Sequence, residues 1–292
     1  MTQHIGFVGL GSLGAPIAAN IIESGHILHV YNRTASKAEP LAVKGAIVSK
    51  DIASLAKQCQ VVFTIVSDDA ALKSICEGKN GLIENLLPGA VHISMSTILP
   101  QTAKDIAALH QQQQQHYLAA PVFGRPEAAI AKKINFVVSG EEKIRKQIEP
   151  LLKDAGAAGV WDFGDDILAA NTVKLCGNFL IAAAVEAIGE STAMAKASGV
   201  DAQKMWAMLL QTLFNAPVYH NYSNIILQKK FEPAAFTMKL GLKDMKLVME
   251  QAASVNQYMP LANLLKENMQ QLVSAGKDQI DWSAVSSAKS GL

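Results

Sequence analysis

Short hydrophobic runs alternate with amphipathic segments through the first half of the chain. Five of the runs are rich in β-branched residues and read IGFVGLG, ILHVYNR, VVFTIVS, AVHISMS and INFVVSG. The segments between them place apolar residues at helical spacing. Strands that alternate with helices in this way predict a parallel sheet with helices on both faces.

The second half shows only helical patterns. Between Gly164 and Gly199, a stretch rich in Ala, Leu and Ile contains no proline, which predicts one long buried helix. Helical segments such as DAQKMWAMLLQTL and PLANLLKENMQQLVSAG follow. We therefore predict an α/β domain over residues 1–163 and an all-α domain over residues 164–292, joined by the long helix. The turn residues WDFGDD mark this boundary.

The composition fits a two-domain globular protein. The chain has 292 residues, of which 50% are hydrophobic and 17% charged. Its 26 basic and 25 acidic residues give a net charge of +1, so no broad field attracts nucleic acid or anionic lipid. We expect neither as a partner.

No sequence pattern indicates export, a membrane span or a metal site. The longest apolar stretch, around residues 178–187, is interrupted by Glu186 and is expected to be too short to cross a bilayer. Cys59, Cys76 and Cys176 are far apart and lack the close pairing of metal or redox motifs. We expect a cytoplasmic protein, and a solvated helix end at the glutamine run 111–115.

The first strand leads directly into a glycine-rich turn and then a helical pattern. Glycine at 9 permits a tight turn, at 11 a close approach of backbone to pyrophosphate, and at 14 close packing of helix on strand. Such turns can be purely structural, but here strand, turn, helix and second strand all follow in order. This context predicts a Rossmann-type, doubly wound dinucleotide-binding domain. The predicted contacts are Gly9, Leu10, Gly11, Ser12, Leu13 and Gly14.

The end of the second strand predicts which dinucleotide binds. NAD-binding proteins usually place a carboxylate there to hold the ribose 2′-hydroxyl, whereas this chain has Asn32, Arg33 and Thr34. The guanidinium of Arg33 can pair with a 2′-phosphate. We therefore predict NADP(H) as the cofactor; the alternative is that Arg33 is a solvated surface residue.

The long helix carries a polar stripe. Asn171, Lys174 and Asn178 lie at positions i, i+3 and i+7, on one face of an otherwise apolar helix. A lysine facing a cleft is suited to proton transfer if partial burial lowers its pKa. A lysine that extends to helix-end carbonyls is the structural alternative. The residues alone leave both open.

With these motifs the chain resembles the β-hydroxyacid dehydrogenase family, within the superfamily of the 6-phosphogluconate dehydrogenase NADP-binding domain. That family includes 3-hydroxyisobutyrate dehydrogenases, glyoxylate and succinic semialdehyde reductases and, more distantly, imine reductases. The resemblance covers nearly the whole chain and rests on five motifs in order. They are GFVGLGSLGAPIAANI, STILP, APVFGRPEAAIAKK, NTVKLCGN and GLKDMKLVMEQA.

The resemblance implies roles for particular residues. Lys174 matches the catalytic lysine, which protonates the carbonyl oxygen as hydride arrives, and Asn178 matches its neighbour that holds the substrate. Lys243, followed by Asp244, matches a lysine near the nicotinamide. Positions that line the path of the cofactor are matched by Val66, Ala71 and Thr97. Without the resemblance, structural explanations are favoured: packing for Val66 and Ala71, a strand end for Thr97, and a solvated ion pair for Lys243 with Asp244.

The substrate loop departs from the family pattern. Relatives usually read Asp-Ala-Pro-Val-Ser-Gly-Gly, and here Val122, Phe123, Gly124 and Arg125 occupy its second half. Arg125 can bind a carboxylate through a bidentate contact, or Phe123 can favour a larger or less polar substrate. Alternatively, both residues repack the loop and contact no substrate.

These inferences predict an NADP(H)-dependent oxidoreductase acting on a CH–OH group of a small hydroxy acid or aldehyde, with its active site in the cleft between the domains. An imine reductase-like enzyme and a non-catalytic nucleotide-binding protein are the alternatives. The apolar helical domain predicts a homodimer or homotetramer.

Overall fold

The structure of the chain is a computed structural model that describes residues 3–286. It divides into two compact units, Met1–Lys174 and Leu175–Leu292. The division falls inside the long helix, later than the expected boundary at residue 163. The first turn of that helix packs with the first unit, where Ala170 is fully buried in a core cluster.

The first unit is built on a six-stranded parallel sheet. Its strand order is β3-β2-β1-β4-β5-β6, so the chain starts in the middle and winds outward in both directions. This confirms the predicted doubly wound fold and adds the two-residue edge strand β3. The strands are β1 (His4–Val8), β2 (Ile27–Tyr31), β3 (Ile47–Val48), β4 (Val61–Thr64), β5 (Val91–Ser94) and β6 (His116–Ala119).

Helices cover both faces of this sheet. Alternate residues of β4 enter different core clusters, Phe63 on one side and Val62 on the other, as expected for a strand buried on both faces. The helices between the strands are α1 (Gly14–Glu23), α2 (Glu39–Val43), α3 (Ile52–Ala56), α4 (Asp69–Cys76), α5 (Leu82–Asn85) and α6 (Pro100–Gln112), with a 3-10 turn at Ala35–Ala38.

A second, three-stranded sheet completes the unit. The run INFVVSG, expected in the parallel sheet, instead forms its central strand β8 (Ile134–Val138). The chain reverses after β7 (Val122–Phe123) through Gly124, whose φ of +150° favours glycine, and β7 pairs antiparallel with β8. The third strand, β9 (Ala157–Asp162), is parallel to β8, and helices α7 (Pro126–Ile130) and α8 (Glu142–Asp154) lie between the strands in sequence.

The long helix α9 (Leu168–Ala197) begins where Asp166 accepts a hydrogen bond from the Leu168 N–H at 3.0 Å. Within residues 3–286 it alone is long and apolar enough to cross a membrane, whereas the sequence analysis expected its apolar stretch to be too short. Core helices of soluble proteins pass the same test. The expected full burial is not found, because Leu180 is 65% and Met194 69% exposed.

The second unit is helical, as predicted. Two buried polar residues of α9 are hydrogen-bonded within it, Glu186 to Asn268 and Thr192 to Trp206. The remaining helices are α10 (Ala202–Gln211), α11 (Pro217–Gln228), α12 (Met238–Ser254), α13 (Pro260–Ser274) and a 3-10 turn at Trp282–Ser286.

A buried polar cluster lies inside the first unit. His92 of β5 and His110 of α6 are fully buried beside Cys76 of α4. Burial lowers the pKa of His110 to about 4 and that of His92 well below its usual value, so both imidazoles are neutral at pH 7. The glutamine run is not simply a solvated helix end, because Gln115 is 5% exposed and hydrogen-bonds His110.

Candidate active site

The glycine turn has the geometry of a phosphate cradle. A Cβ on Gly9, where φ is +101°, would lie 2.1 Å from the Ile65 carbonyl oxygen, and one on Gly14 would lie 2.0 Å from the Gly9 carbonyl oxygen. A Cβ on Gly11 would meet nothing within 4 Å. Glycine is therefore required by packing at two positions, while at Gly11 it leaves open space in front of the backbone. A bound pyrophosphate fits that space.

The rest of the turn is fixed by the end of β2. Asn32 accepts a hydrogen bond from the Leu10 N–H at 2.9 Å, and its amide donates to the Thr34 carbonyl. Ser12, Arg33 and Thr34 are exposed, while Leu10 is buried and Leu13 partly buried. Asn32 thus has a structural task, and Arg33 remains the charged group available to a ligand at this end.

The loops after β4 and β5 lie beside the turn, because all strands are parallel and the strand order reverses between β1 and β4. The Val66 N–H donates to Ser96 Oγ at 2.9 Å, which ties the two loops together. The Ala71 N–H donates to Asp68, the N-cap of α4. Val66, Ala71 and Thr97 are each partly exposed, as residues along a ligand path must be.

At the end of this row of loops, Lys174 contacts Phe123. The Lys174 Nζ lies 4.1 Å from the centre of the Phe123 ring, within cation–π range. Strand β8 fixes both residues: Phe123 pairs with Asn135, and Ser139 just after β8 hydrogen-bonds the Ile167 carbonyl and the Ala170 N–H at the start of α9. No pattern along the chain predicted this contact.

Other residues of the predicted substrate loop have different surroundings. Val122 is 4% exposed and belongs to a core cluster, so its side chain packs inside the unit. Gly124 is exposed, and Arg125 is the N-cap residue of α7.

On the polar stripe of α9, Asn171 is buried, and its Oδ1 finds no hydrogen-bond donor among residues 3–286.

The second unit joins Asn178 and Lys243 through one carboxylate. Asp244 is 1% exposed, accepts a hydrogen bond from the Asn178 amide at 2.6 Å and forms an ion pair with the Lys243 ammonium at 2.7 Å. Sequence reasoning noted Asp244 only as the residue after Lys243. The one sequence feature that could have indicated its role is the adjacent Lys-Asp pair, on a helix whose other positions are largely apolar.

Comparisons with known proteins agree with this geometry. Residues 4–170 match the NAD-binding domain of 6-phosphogluconate dehydrogenase, and residues 169–288 match the NAD-binding family of NADP-dependent 3-hydroxyisobutyrate dehydrogenase. The chain belongs to the β-hydroxyacid dehydrogenase family. Bacillus subtilis has a relative, the uncharacterized oxidoreductase YfjR, that is 38% identical over 97% of this chain and 98% of its own length.

Other relatives carry more specific names. A probable mitochondrial 3-hydroxyisobutyrate dehydrogenase of Dictyostelium discoideum is 27% identical over 97% of this chain and 90% of its own. The solved structure of Mycobacterium tuberculosis 3-hydroxyisobutyrate dehydrogenase with L-serine is 25% identical, with a TM-score of 0.87 over 98% of both chains. An imine reductase from Pseudomonas, 18% identical with a TM-score of 0.65, shares the fold. The chain is therefore an NAD(P)-binding oxidoreductase of the hydroxyacid dehydrogenase type.

Proposed function

We propose that this oxidoreductase uses NADP(H) to interconvert a small carbonyl compound and its alcohol, with Lys174 as the general acid and base. One observation carries this proposal: the Lys174 ammonium lies over Phe123 of β7, in the segment that follows β6. That segment leaves the same edge of the six-stranded sheet as the glycine turn. This position supports the proposal, because a dinucleotide that starts at β1 would extend along the same row of loops.

In the proposed reaction, each of these residues has a separate role. NADPH, when bound, supplies a hydride to the carbonyl carbon. Lys174 donates a proton to the carbonyl oxygen and is left as the neutral amine; in the reverse direction it accepts that proton. By the family resemblance, Asn178, whose amide hydrogen-bonds Asp244, is proposed to orient the substrate, and Lys243 to act on the nicotinamide part of the cofactor.

The preference for NADP(H) rests on Arg33. No carboxylate follows β2, and within the described residues no ion pair engages the exposed Arg33 guanidinium. A 2′-phosphate would give it a charge-assisted, bidentate partner. The structure of Psf3, which has a similar fold, is a complex with NADP+.

The proposed substrate class rests on Phe123. The relatives' serine would donate a hydrogen bond to a substrate carboxylate, which a phenyl ring cannot do. We therefore propose an aldehyde, ketone or alcohol with an apolar group beside the reacting carbon. Turnover only of compounds with a carboxylate in that position would instead favour carboxylate binding by Arg125.

The decisive experiment replaces the proposed acid. Lys174→Ala is expected to lower kcat by about 10²–10⁴-fold, while NADPH binding, followed by nucleotide fluorescence, changes little. Added methylamine should restore part of the lost rate. Lys196→Ala, an exposed lysine at the other end of the same helix, is the matched control. Retained kcat in Lys174→Ala would refute the role.

A substrate panel tests the reaction class. NADPH oxidation is followed with aldehydes, ketones, keto acids and cyclic imines. Turnover of carbonyl compounds supports the proposal, whereas turnover of imines alone would favour an imine reductase. Tight NADPH binding without any turnover would favour a protein that holds the nucleotide as a ligand.

We also propose a cytoplasmic homodimer or homotetramer that binds neither nucleic acid nor membranes. The exposed Leu180 and Met194 side chains on α9 support self-association, because exposed apolar surface of this kind is commonly buried by a second copy. Light scattering of the purified protein tests the assembly, and a monomer at micromolar concentration would contradict it.

A further inference from the structure

A continuous row of hydrogen-bonded side chains crosses the interior of the first unit. Thr64 Oγ1 lies 2.8 Å from His92 Nε2, and His92 Nδ1 lies 2.9 Å from His110 Nε2. His110 Nδ1 lies 2.7 Å from Gln115 Oε1. Thr64, His92 and His110 are fully buried and Gln115 nearly so. The row has no part in the proposed hydride transfer.

The hydrogen bonds of Gln115 determine the protonation of this row. Its Nε2 donates to the carbonyl oxygens of Ile83 and Leu86, so its Oε1 must accept the Nδ1–H of His110. In a neutral imidazole, His110 Nε2 is then an unprotonated acceptor that faces His92 Nδ1. The lone pair of His110 Nε2 therefore points into the space between the imidazole rings of His110 and His92.

A thiol completes the cluster. Cys76 Sγ lies 3.9 Å from His92 Nδ1, and Cys76 Sγ together with one ring nitrogen of each histidine all lie within 4.8 Å of one another. Ligand atoms that surround one ion at bond lengths of 2.0–2.3 Å are separated by about 3.3–3.8 Å. Shifts of roughly an ångström or less would therefore bring all three atoms onto a single ion.

The outer partners are also those of a metal site. Histidine ligands usually donate their second ring N–H to a nearby acceptor, which fixes the ring orientation. Gln115 Oε1 accepts from His110, and the Thr64 hydroxyl can accept from His92. The sequence could not show this cluster, because its residues come from three separate elements.

We propose that Cys76, His92 and His110 form a buried binding site for one monovalent copper ion. One thiolate, two neutral imidazoles and Cu+ carry no net charge, which suits a site without solvent. The same ligands around Zn2+ would leave one positive charge buried and no fourth ligand. Thiolate and imidazole are ligands that Cu+ prefers, and three ligands suffice for it.

The protons balance in a simple way. On binding, Cys76 releases its thiol proton, and one proton leaves the protein for each ion. His110 already carries its hydrogen on Nδ1 and binds through Nε2. His92 moves its hydrogen from Nδ1 to Nε2, where the Thr64 hydroxyl accepts it by rotating. No oxidation or reduction is involved.

The experiment loads the full-length protein anaerobically with Cu+ and challenges it with bicinchoninate, a Cu+ chelator. We expect about one Cu+ per chain to remain after gel filtration and the thermal midpoint to rise, because a ligand that binds only the folded state stabilises it. X-ray absorption should show one sulfur and two nitrogen ligands. No retained copper, or a coordination shell without nitrogen, would overturn the proposal.

Matched cysteine variants locate the ion. Cys76→Ala should abolish retention, whereas Cys59→Ala, an equally buried cysteine, and Cys176→Ser, the exposed one, should keep it. Loss of copper in Cys176→Ser with retention in Cys76→Ala would place binding at the surface thiol and overturn the site. Retention of Zn2+ but not Cu+ by the wild type would also overturn it. If Cys76→Ala does not fold, the absorption spectrum of the wild type still decides.

Discussion

The Lys174 ammonium lies 4.1 Å from the centre of the Phe123 ring. The contact attracts the positive charge to the face of the ring and therefore favours the protonated lysine. It also keeps the amine close to the loop after β6. A residue that departs from the family pattern thus acts directly on the residue proposed to transfer the proton.

Replacing Phe123 with leucine should change the pH dependence of the reaction. The cation–π contact contributes on the order of 0.5–1 kcal/mol to the protonated form, so its loss makes the protonated lysine less favourable. We expect the basic limb of the kcat profile to move to lower pH. Phe163→Leu, a change at an exposed aromatic residue of the same unit, is the control. An unmoved limb would contradict the contact.

Replacing Phe123 with serine should change the substrate preference. The hydroxyl can again donate to a carboxylate, and the ring no longer fills the space beside the carbonyl. We expect kcat/KM to rise for hydroxy acids and to fall for the apolar substrates of the wild type. Comparison of both substrate classes in one assay checks this. Parallel losses for both classes would argue that Phe123 only supports the loop.

Asp244 is expected to act as a positioning residue, so its replacement should lower both the free energy of unfolding and the reaction rate. Its carboxylate receives the Asn178 amide and the Lys243 ammonium while almost fully buried. Asp244→Asn keeps the shape but removes the charge, and we expect a loss of about 1–3 kcal/mol in the free energy of unfolding. Urea denaturation measures it. Lys246→Ala, an exposed change on the same helix, should cost little.

Sequence patterns predicted those parts of the fold that depend on local rules. The glycines at 9, 11 and 14 have the tight turn, open face and close helix packing that the fingerprint requires, and the β-branched runs became strands. The run INFVVSG was predicted in the parallel sheet and lies in the second sheet instead. The prediction was wrong because a buried hydrophobic run does not indicate which strand it pairs with. Its partner β7 has only two residues, too few to produce a pattern.

Contacts between residues that are far apart in the sequence could not be predicted from sequence patterns. Phe123 meets Lys174 because β8 fixes both the loop and the start of α9, a relation that no spacing along the chain expresses. The cysteine spacing argued against a metal site, yet three elements bring Cys76 to the two histidines. Gln115 was assigned to solvent because a polar run suggests exposure, while its amide is fully used inside the core.

Arg33 should set the choice of cofactor. Arg33→Ala removes the cation proposed to meet the 2′-phosphate, and charge-assisted hydrogen bonds contribute about 1.5–3 kcal/mol. We expect the ratio of kcat/KM for NADPH to that for NADH to fall by about 10–100-fold. Lys57→Ala, an exposed cation elsewhere in the unit, should leave the ratio unchanged. A wild type that prefers NADH would contradict the prediction outright.

The buried histidine pair should make the metal-free protein sensitive to acid. The pKa values of His92 and His110 are lowered in the folded state, so as the pH falls below about 6.5 the unfolded chain takes up protons first. Stability is present above that pH and is lost toward pH 4, by up to about 1.4 kcal/mol per pH unit for each histidine. Urea denaturation from pH 7 to 4 measures the slope. His110→Gln should flatten it and the exposed His220→Gln should not.

Alanine substitutions at two glycines of the same turn should have different effects, one on stability and the other on NADPH binding. In Gly14→Ala the new methyl would lie 2.0 Å from the Gly9 carbonyl oxygen, so the helix must move and the free energy of unfolding should fall. In Gly11→Ala the methyl meets nothing within 4 Å, so stability should be unchanged while NADPH binding is lost. Thermal unfolding and nucleotide fluorescence separate the two effects. Normal NADPH affinity in Gly11→Ala would show that the pyrophosphate does not lie against this turn.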